Sequence, residues 1–487
     1  MFKSLLIDNF KGFSKPQKVK LAPITLIYGP NSSGKSSIIQ ALMLLKQTVI
    51  RPSESGGLTS TGEYVDLGTY SSMVNGHDVA KDINFAVEYT PYRAGPHNSA
   101  ASSVYGNMFG SGRSRAHHLT YSLSGHDCKN KNEAFSYLKR IHTIISNEHD
   151  NKPLIEVDLT SELSDLSKGS YSERHPRAAV YRYTSAESRD SITKFVARRV
   201  GVEGFKKNPI FKTIDEIKYR RELNFSTPSA IELDDYKSAD GLTIAFSNEV
   251  VRDISKELQD KFGTISYLGP LRIHPARLYA PKGDHSGSVG KSGENAARLI
   301  YEKSPDISNS INDWFRQFEI PYELSAHDIG TDVTGSVISL QLKDQRTGVT
   351  VGPSDVGFGI GQLLPILVEG VVRKEGTICV EQPEIHLHPR LQAHLANFMI
   401  ETSRRNKNTT RPANQWIIET HSESLILRIQ KKIKEKDLDP QDVSIIYVEA
   451  TSKGSRVLEI PMDKDGDFMV DWPDGFFDER FKEVFGF

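Results

Sequence analysis

Eight residues near the beginning of the chain have the pattern of a loop that binds phosphate. Residues 29–36, GPNSSGKS, fit G-x-x-x-x-G-K-[ST] at every fixed position. Glycines let such a loop curl until successive N–H groups point at phosphate oxygens, and the following helix adds its positive dipole end. We expect Lys35 to reach the β- and γ-phosphates of a nucleotide and Ser36 to offer its hydroxyl to Mg²⁺. The predicted nucleotide contacts in this loop are Gly29, Pro30, Asn31, Ser32, Ser33, Gly34, Lys35, Ser36 and Ser37.

An acidic residue at the end of a second strand supplies the carboxylate that a Mg²⁺–nucleotide site needs. Residues 377–380, TICV, read as a buried strand, and Glu381 follows at its end, where a carboxylate holds Mg²⁺ through water. The predicted metal ligands are therefore Ser36 and Glu381. The next residue, Gln382, has an amide that cannot productively accept a proton, and Glu384 lies two residues further along.

A histidine follows a third predicted strand. Residues 416–422, WIIETHS, read as a strand that ends in a polar cluster. We expect His421 to lie at the carboxyl edge of the sheet, near the γ-phosphate. There it would hydrogen-bond the phosphate or orient the attacking water.

A second glycine-rich loop precedes a predicted helix. Residues 354–362, SDVGFGIGQ, lead into LLPILVEGVV, so the loop is another anion-binding device at a helix N-terminus. A protein with one nucleotide rarely needs two such devices. The loop makes sense if it caps the nucleotide of a neighbouring copy. The predicted contacts in it are Ser354, Gly357, Gly359 and Gln362.

Strands and helices alternate on both sides of a long insertion. Short strands are predicted in 3–13 and 17–28, a helix over 35–50, and strand–helix alternation over 264–450, which favours a largely parallel sheet with covering helices. Asp-Gly at 465–466 predicts a hairpin turn. The predicted domains are an N-terminal lobe, an insertion, a second lobe and a small C-terminal module, at 1–90, 91–263, 264–450 and 451–487.

The insertion at 91–263 is predicted to be mainly helical. Its helical segments would be 131–149, 188–200 and 248–262. Residues 93–118, rich in Gly, Ser, Asn and His, are predicted to form a mobile surface loop. A loop that contacts nucleic acid is the alternative, through a basic set comprising Arg93, Arg113, Arg115, His117 and His118.

The composition limits the classes of protein. The chain has 487 residues, with 61 basic and 62 acidic side chains, so its net charge of −1 creates no global attraction to nucleic acid or to an anionic membrane. No apolar run approaches the ~18 residues of a membrane span, and the N-terminus lacks the features of a signal peptide. Two cysteines cannot form a disulfide framework. We expect a cytoplasmic protein with no membrane partner.

The order of these motifs resembles that of the ABC/SMC-like ATPases, in particular the RecF-like and OLD-like branch labelled AAA family. The resemblance covers about 1–90 and 264–487. Within the group, the chain is similar to the ATPase component of Septu-, retron-Septu- or PARIS-type anti-phage systems. The matching segments are LLIDNFKGF, GPNSSGKSS, YLGPLRIHPARLY, VGKSGENAARLI, SDVGFGIGQLLPIL, VEQPEIHLHP, ETHSESLILR and DWPDGFFDERFKEVF.

This resemblance implies an α/β fold of the ABC-type P-loop ATPase head class, with ATP and Mg²⁺ as cofactors. Two heads would sandwich ATP, so the chain would be at least a head-to-head dimer, and Ser354 would touch the γ-phosphate bound by the other copy. A separately encoded HNH or Toprim nuclease would be the partner, and DNA or RNA is a further candidate. Two other functions stay open, namely a DNA repair or recombination ATPase and an ATP-binding scaffold that does not hydrolyse.

One position departs from the pattern of this group. Related ATPases commonly have a second acid directly after Glu381, as the base that activates water, and here that residue is Gln382. Glu384 takes over the role, or the protein hydrolyses slowly and uses ATP as a clamp, or an engineered Glu→Gln substitution traps the bound state. The candidate catalytic residues are therefore Gln382, Glu384 and His421. We expect slow turnover, below the ~10 s⁻¹ that is typical of enzymes.

Overall fold

The structure is a computed structural model that divides into two compact units, each discontinuous in sequence. The first unit comprises Met1–Val19, Gln40–Gly263 and Thr451–Ser455, and the second comprises Lys20–Ile39, Thr264–Ala450 and Arg456–Phe487. Every site residue predicted from the sequence belongs to the second unit. The structure describes residues 1–52, 57–90, 115–125, 136–147, 153–160, 179–181, 217–219, 256–280, 287–404 and 413–473.

The helices, 3₁₀ turns and strands that the structure describes are the following, with helices and strands each numbered in chain order. The helices are α1 (Lys35–Ile50), α2 (Tyr70–Met73), α3 (Ala296–Glu302), α4 (Asp306–Gln317), α5 (Phe358–Val372), α6 (Pro389–Ser403) and α7 (Glu423–Lys434). Residues 256–263 are also helical. The 3₁₀ turns are Asn75–His77, Pro353–Asp355 and Pro440–Asp442. The strands are β1 (Phe2–Asp8), β2 (Gln17–Lys20), β3 (Ile24–Tyr28), β4 (Ile83–Tyr89), β5 (Arg115–Gly125), β6 (Ser136–Asn147), β7 (Pro153–Thr160), β8 (Ala179–Tyr181), β9 (Ile217–Tyr219), β10 (Ile265–Leu268), β11 (Tyr322–Asp328), β12 (Ile338–Asp344), β13 (Thr350–Val351), β14 (Thr377–Glu381), β15 (Gln415–Glu419), β16 (Val443–Thr451) and β17 (Gly454–Glu459).

The main sheet of the second unit positions the candidate site. Its strand order is β10-β14-β15-β3-β16-β17, and the pairs β10–β14, β14–β15, β15–β3 and β3–β16 are parallel. The strands β3, β14 and β15 are buried along their whole length, which fits their apolar, β-branched sequences and a sheet covered on both faces. Because these strands are parallel, the loops that follow them emerge at one edge of the sheet.

An aromatic cluster fixes α6 against this sheet. The ring of Phe398, on α6, makes edge contacts with Trp314 on α4 and with Trp416 on β15, at centroid distances of 4.8 and 5.9 Å. A Cβ atom at Gly370 of α5 would lie 2.5 Å from the Phe398 ring. The helices α5 and α6 and the strand β15 therefore pack closely together. This packing fixes the position of β15, whose end carries Glu419.

The C-terminal segment of the second unit packs against the strand that leads into the phosphate loop. The ring of Trp472 contacts Tyr28, the last residue of β3, and Tyr447 of β16, at centroid distances of 5.6 and 6.0 Å. The hairpin turn predicted at 465–466 is confirmed, since Asp463 N–H donates to the Asp467 carbonyl at 2.9 Å and Gly466 has φ +81°.

The first unit contains a six-stranded sheet of order β2-β1-β4-β5-β6-β7, and its pairs from β1 to β7 are antiparallel. The helix predicted over 131–149 is therefore wrong, because β6 occupies Ser136–Asn147. The apolar residues there suit both a helix and a strand. The β-branched Ile141, Thr143 and Ile145 lie on one face, and pairing with β5 along its whole length decides for the strand.

The structure contradicts part of the loop predicted in the insertion and confirms part of one predicted helix. The loop prediction is wrong at residues 115–118, which begin β5, and His117 is buried with its ring 5.1 Å from that of Tyr89. The helical prediction is confirmed for residues 256–262. The rest of the loop, at 93–114, and the predicted helix at 188–200 lie outside the described residues.

Among the helices that the structure describes, none is both long enough and apolar enough to cross a membrane.

Candidate nucleotide site

The phosphate loop has the conformation that its sequence predicts. It joins β3 to α1, which begins at Lys35. Gly29 has φ +141°, and a Cβ atom there would lie 2.2 Å from the Val448 carbonyl oxygen, so only glycine fits. Gly34 has φ +107°. The loop exposes Pro30, Asn31 and Ser32 and buries Ser33, Lys35 and Ser37.

The side chain of Lys35 is buried inside this loop. Its Nζ donates to the carbonyl oxygens of Gly29 at 2.9 Å and Pro30 at 2.7 Å. Burial lowers the pKa of Lys35, and the nearby carboxylates of Glu419 and Glu384 oppose that shift. The ammonium group is thus held by the loop carbonyls, near Glu419 at the end of β15 and Glu384 in the loop after β14.

The carboxylate that contacts the phosphate loop belongs to Glu419. The Ser36 hydroxyl donates to Glu419 Oε1 at 3.1 Å. Burial raises the pKa of Glu419, and the Ser36 hydrogen bond and Lys35 counteract it. The other oxygen, Oε2, is buried and has no hydrogen-bond partner among the described residues.

Glu381, the acid predicted to hold Mg²⁺, contacts a different strand. Its Oε1 accepts a hydrogen bond from Tyr267 of β10 at 2.9 Å, and burial together with Glu381 raises the pKa of that tyrosine. The backbone carbonyl of Glu381 accepts a hydrogen bond from Arg272 Nη2 at 2.9 Å.

Arg272 is a buried cation beside the end of β14. It is 6 % exposed, and its Nε and Nη1 atoms have no hydrogen-bond partner in the part of the chain that the structure describes. Burial lowers the pKa of Arg272 to about 10, and Glu384 opposes that shift. The burial of Arg272 shows that this arginine does not lie in a solvated turn.

Glu384 connects the loop after β14 to the loop after β15. Its Oε2 accepts from the Thr420 hydroxyl and its Oε1 accepts from the His421 N–H, both at 2.7 Å. Burial raises the pKa of Glu384, while these two hydrogen bonds and Arg272 lower it. Gln382 has φ +45°, and its N–H donates to the Glu419 carbonyl at 2.7 Å.

His421 lies next to this carboxylate. Burial lowers the pKa of its imidazole, and the positive charge of Lys35 lowers it further. A lowered pKa favours the neutral form of this imidazole. The predicted hydrogen bond of His421 to phosphate or water stays a prediction.

The second glycine-rich loop is held by the segment that follows β10. Arg277 makes two hydrogen bonds to Asp355, at 2.6 and 3.0 Å, next to Ser354. A Cβ atom at Gly361 would lie 2.3 Å from Pro275. The Ser354 hydroxyl oxygen is buried and has no hydrogen-bond partner in the described ranges.

The other three residues predicted in this loop lie around the start of α5. Gly357 is the residue before the helix, Gly359 approaches the His386 carbonyl, and Gln362 is buried at the fifth position of the helix.

The structure therefore joins Ser36 to Glu419, and Glu384 to Thr420 and His421, by hydrogen bonds. It places Lys35 near the charges of Glu419 and Glu384. It also joins the Ser354 loop to the 272–277 segment.

Sequence reasoning missed Glu419 and Tyr267 as site residues. A signal existed for Glu419, since it directly precedes Thr420 and His421 at a strand end. Tyr267 begins the matching segment YLGPLRIHPARLY, but nothing in that segment indicates its contact with Glu381, which depends on the pairing of β10 with β14.

These features define the class of protein. A central parallel strand leads into a phosphate loop, and acidic residues lie at the ends of the next two strands, as in a P-loop ATPase. The chain belongs to the AAA_15 family, described as an AAA ATPase domain, whose model matches residues 1–426. A second model, a protein of unknown function (DUF3696), matches residues 438–485.

Solved SMC head domains are similar to the chain over nearly its whole length. An SMC head bound to the C-winged helix domain of ScpA has 12 % identity and a TM-score of 0.43, covering 95 % of this chain and 99 % of that one. The SMC head domain from Thermotoga maritima has 11 % identity and a TM-score of 0.37, with the same coverage of 95 % and 99 %. The Smc head with an extended coiled coil from Pyrococcus furiosus, bound to the C-terminal domain of ScpA, has 10 % identity, a TM-score of 0.40 and coverage of 100 % and 98 %. The curated proteins include no match to this sequence.

Proposed function

We propose that this chain is a cytoplasmic ATP-driven switch that binds ATP with Mg²⁺, hydrolyses it slowly and closes on a second copy. In that closed state it licenses a separately encoded HNH or Toprim nuclease in anti-phage defence. The observation that carries the proposal is the meeting of the phosphate loop with two strand-end loops at one sheet edge. Ser36 bonds to Glu419, Glu384 bonds to His421, and the charges of Glu419 and Glu384 act on Lys35.

The chemistry follows from the groups at this edge. Lys35 would exchange the loop carbonyls for β- and γ-phosphate oxygens, which are stronger acceptors because they are charged. Bound Mg²⁺ would neutralise charge that develops on the phosphates. Glu384 would accept the proton of the attacking water, since the amide of Gln382 cannot, and its raised pKa brings it towards the pH at which a base works best.

The residues at this edge supply some of the oxygen ligands that a divalent cation needs. The Ser36 hydroxyl and the unpartnered Glu419 Oε2 are oxygen donors of the type that Mg²⁺ prefers. Among the described residues, no group of three or more His, Cys, Asp and Glu side chains can hold a metal by itself. The remaining ligands would come from the nucleotide phosphates and water.

Exposed apolar side chains next to the Ser354 loop support the association of two copies. Leu271, Ile273 and Leu278 lie on the segment whose Arg277 holds Asp355, and Leu271 is 86 % exposed. Exposed apolar side chains on a segment that contacts the glycine-rich loop suit a surface that a second head covers when it brings a nucleotide.

Replacing Leu271 with aspartate is expected to prevent ATP-dependent dimerisation. A charge on the closing surface would have to be desolvated, so the dimer should weaken by about tenfold or more while each chain still binds nucleotide. Light scattering with ATPγS and Mg²⁺ gives the mass. The matched control is Val333→Asp, which alters a side chain that is 95 % exposed on the β11–β12 hairpin. Equal dimerisation of the Leu271 variant and the wild type would contradict this arrangement.

The nuclease partner is tested by co-expression with the product of the gene next to that for this chain, which the proposal expects to be a nuclease. We expect a complex whose DNA or RNA cleavage changes at least severalfold between ATP and ADP, because the nucleotide state would set the closure of the heads. Nuclease activity and phage protection are measured with the wild type and with Lys35→Ala. A neighbour that is not a nuclease, or cleavage that ignores the nucleotide, would refute the defence role and leave the ATPase itself unaffected.

A further inference from the structure

We infer that Tyr28, the last residue of β3, is a positioning residue that holds the loop of His421 beside the phosphate loop, and that Trp472 holds the ring of Tyr28. The inference rests on the proposed function, in which His421 contacts the γ-phosphate or the attacking water. It makes the rate of hydrolysis depend on two aromatic side chains, one of which belongs to the C-terminal segment.

Tyr28 connects the phosphate loop to the loop that follows β15. It directly precedes Gly29, the first residue of the phosphate loop. Its hydroxyl donates to the carbonyl oxygen of Ser422 at 2.9 Å, and Ser422 directly follows His421. The Tyr28 side chain is fully buried, and this burial raises its pKa, so the phenol stays protonated and can donate.

Ser422 fixes the loop of His421 at the start of α7. Its hydroxyl accepts from the Leu425 N–H at 3.2 Å, which caps the helix, and it donates to Gln392 Oε1 on α6 at 2.7 Å. The bond from Tyr28 ties the same residue to the strand that leads into the phosphate loop. Because His421 is the preceding residue, its backbone is held relative to the phosphate loop when the Tyr28 bond is made.

The ring of Trp472 orients Tyr28. It meets the Tyr28 ring edge-on, with a centroid distance of 5.6 Å and an interplanar angle of 78°. The rings of Tyr447 and Phe468 lie 6.0 and 5.1 Å from the Trp472 ring and hold it in turn. Such tilted and edge-to-face contacts are the favoured geometry of aromatic pairs. Without the Trp472 ring, Tyr28 would gain rotational freedom and its hydroxyl would leave the Ser422 carbonyl for part of the time.

The first test uses Tyr28→Phe, which removes the hydroxyl and keeps the ring. We expect single-turnover hydrolysis of ATP to slow by about tenfold, because a buried carbonyl loses its donor, while the affinity for ATPγS stays within about threefold. The matched control is Tyr301→Phe on α3, which removes a hydroxyl from the same unit and should hydrolyse at the wild-type rate. Tyr28→Phe that hydrolyses as fast as Tyr301→Phe overturns the inference.

A double-mutant cycle distinguishes the positioning of His421 from a general loss of stability. Tyr28→Phe should cost about tenfold in the wild-type background and less than about twofold in His421→Ala, because the side chain that it positions is then gone. An equal cost in both backgrounds, or a His421→Ala variant that hydrolyses at the wild-type rate, overturns the inference and leaves nucleotide binding untouched. Wild-type protein that binds no ATPγS overturns the proposed function and this inference with it.

Trp472→Ala and the conservative Trp472→Phe test the second residue. Trp472→Ala should slow hydrolysis by about fivefold or more, and it should add less than about twofold to the effect of Tyr28→Phe, since both act through one hydrogen bond. Trp472→Phe keeps a ring and should restore most of the rate. If circular dichroism shows that Trp472→Ala does not fold, Trp472→Leu takes its place with the same expectation. A wild-type rate in the folded variant overturns the role of Trp472.

Discussion

Lys35→Ala is expected to lower the affinity for ATP by about 100-fold or more. The Lys35 ammonium lies inside the phosphate loop, where it donates to two carbonyl oxygens at 2.9 and 2.7 Å. With nucleotide bound, the same donors would bond to charged phosphate oxygens, and each such bond contributes about 1.5–3 kcal/mol. Two of them account for a factor of about 100 or more. Isothermal titration with ATPγS measures the loss.

A control separates this effect from a change in net charge. Lys20→Ala removes a lysine that is exposed and paired with Glu459 at 2.7 Å, so its affinity for ATPγS should equal that of wild type. Thermal unfolding of both variants checks the fold. Lys35→Ala that binds within threefold of wild type would show that the loop does not hold the nucleotide as proposed.

The elements that carry the site follow from the sequence where local signals agree. The helix predicted over 35–50 is α1, because the glycine-rich loop sets its start and the apolar residues keep helical spacing. The apolar runs that end in Glu381 and Glu419 are β14 and β15. A phosphate loop, a buried strand and a histidine at a strand end can each be recognised from residues that are adjacent in the sequence.

The features that the sequence did not predict are β6 and the contacts of Glu419 and Tyr267. Each of them depends on which strands become neighbours in a sheet. Apolar residues at 137, 138, 141, 144 and 145 suit a helix as well as a strand, and only pairing with β5 decides for β6. Glu419 can contact Ser36 of the phosphate loop because β15 lies next to β3 in the sheet. The contact of Tyr267 with Glu381 likewise exists because β10 pairs with β14. These pairings join residues that are far apart in sequence, so no local pattern reports them.

Glu384→Gln is expected to lower the rate of ATP hydrolysis by about 100-fold or more, which is typical of losing a general base. Nucleotide affinity should stay within threefold, because the hydrogen bonds of this side chain go to Thr420 and His421 and none goes to the phosphate loop. Single-turnover hydrolysis gives the rate. With Gln382 unable to accept a proton, no second acid directly after Glu381 can compensate.

The pH dependence of hydrolysis identifies Glu384 more specifically. Burial raises the pKa of this carboxyl and Arg272 lowers it, so the wild-type rate should rise with pH through a pKa above the ordinary glutamate value. Arg272→Met removes the lowering charge, which should move the acidic limb of the profile to higher pH. In Arg277→Met, whose cation pairs with Asp355 instead, the limb should stay in place. A limb that stays in place in Arg272→Met would contradict Glu384 as the titrating base.

Gln382→Glu tests which residue accepts the proton of the attacking water. Gln382→Glu should hydrolyse ATP faster than wild type if the residue after Glu381 is the best-placed position for a general base. In the double variant Gln382→Glu/Glu384→Gln, hydrolysis should be partly restored relative to Glu384→Gln alone. The backbone at 382 is held with φ +45° by its hydrogen bond to the Glu419 carbonyl, so the new carboxylate would start from a fixed position. Wild-type rates in Glu384→Gln alone would instead mean that water is activated without either side chain.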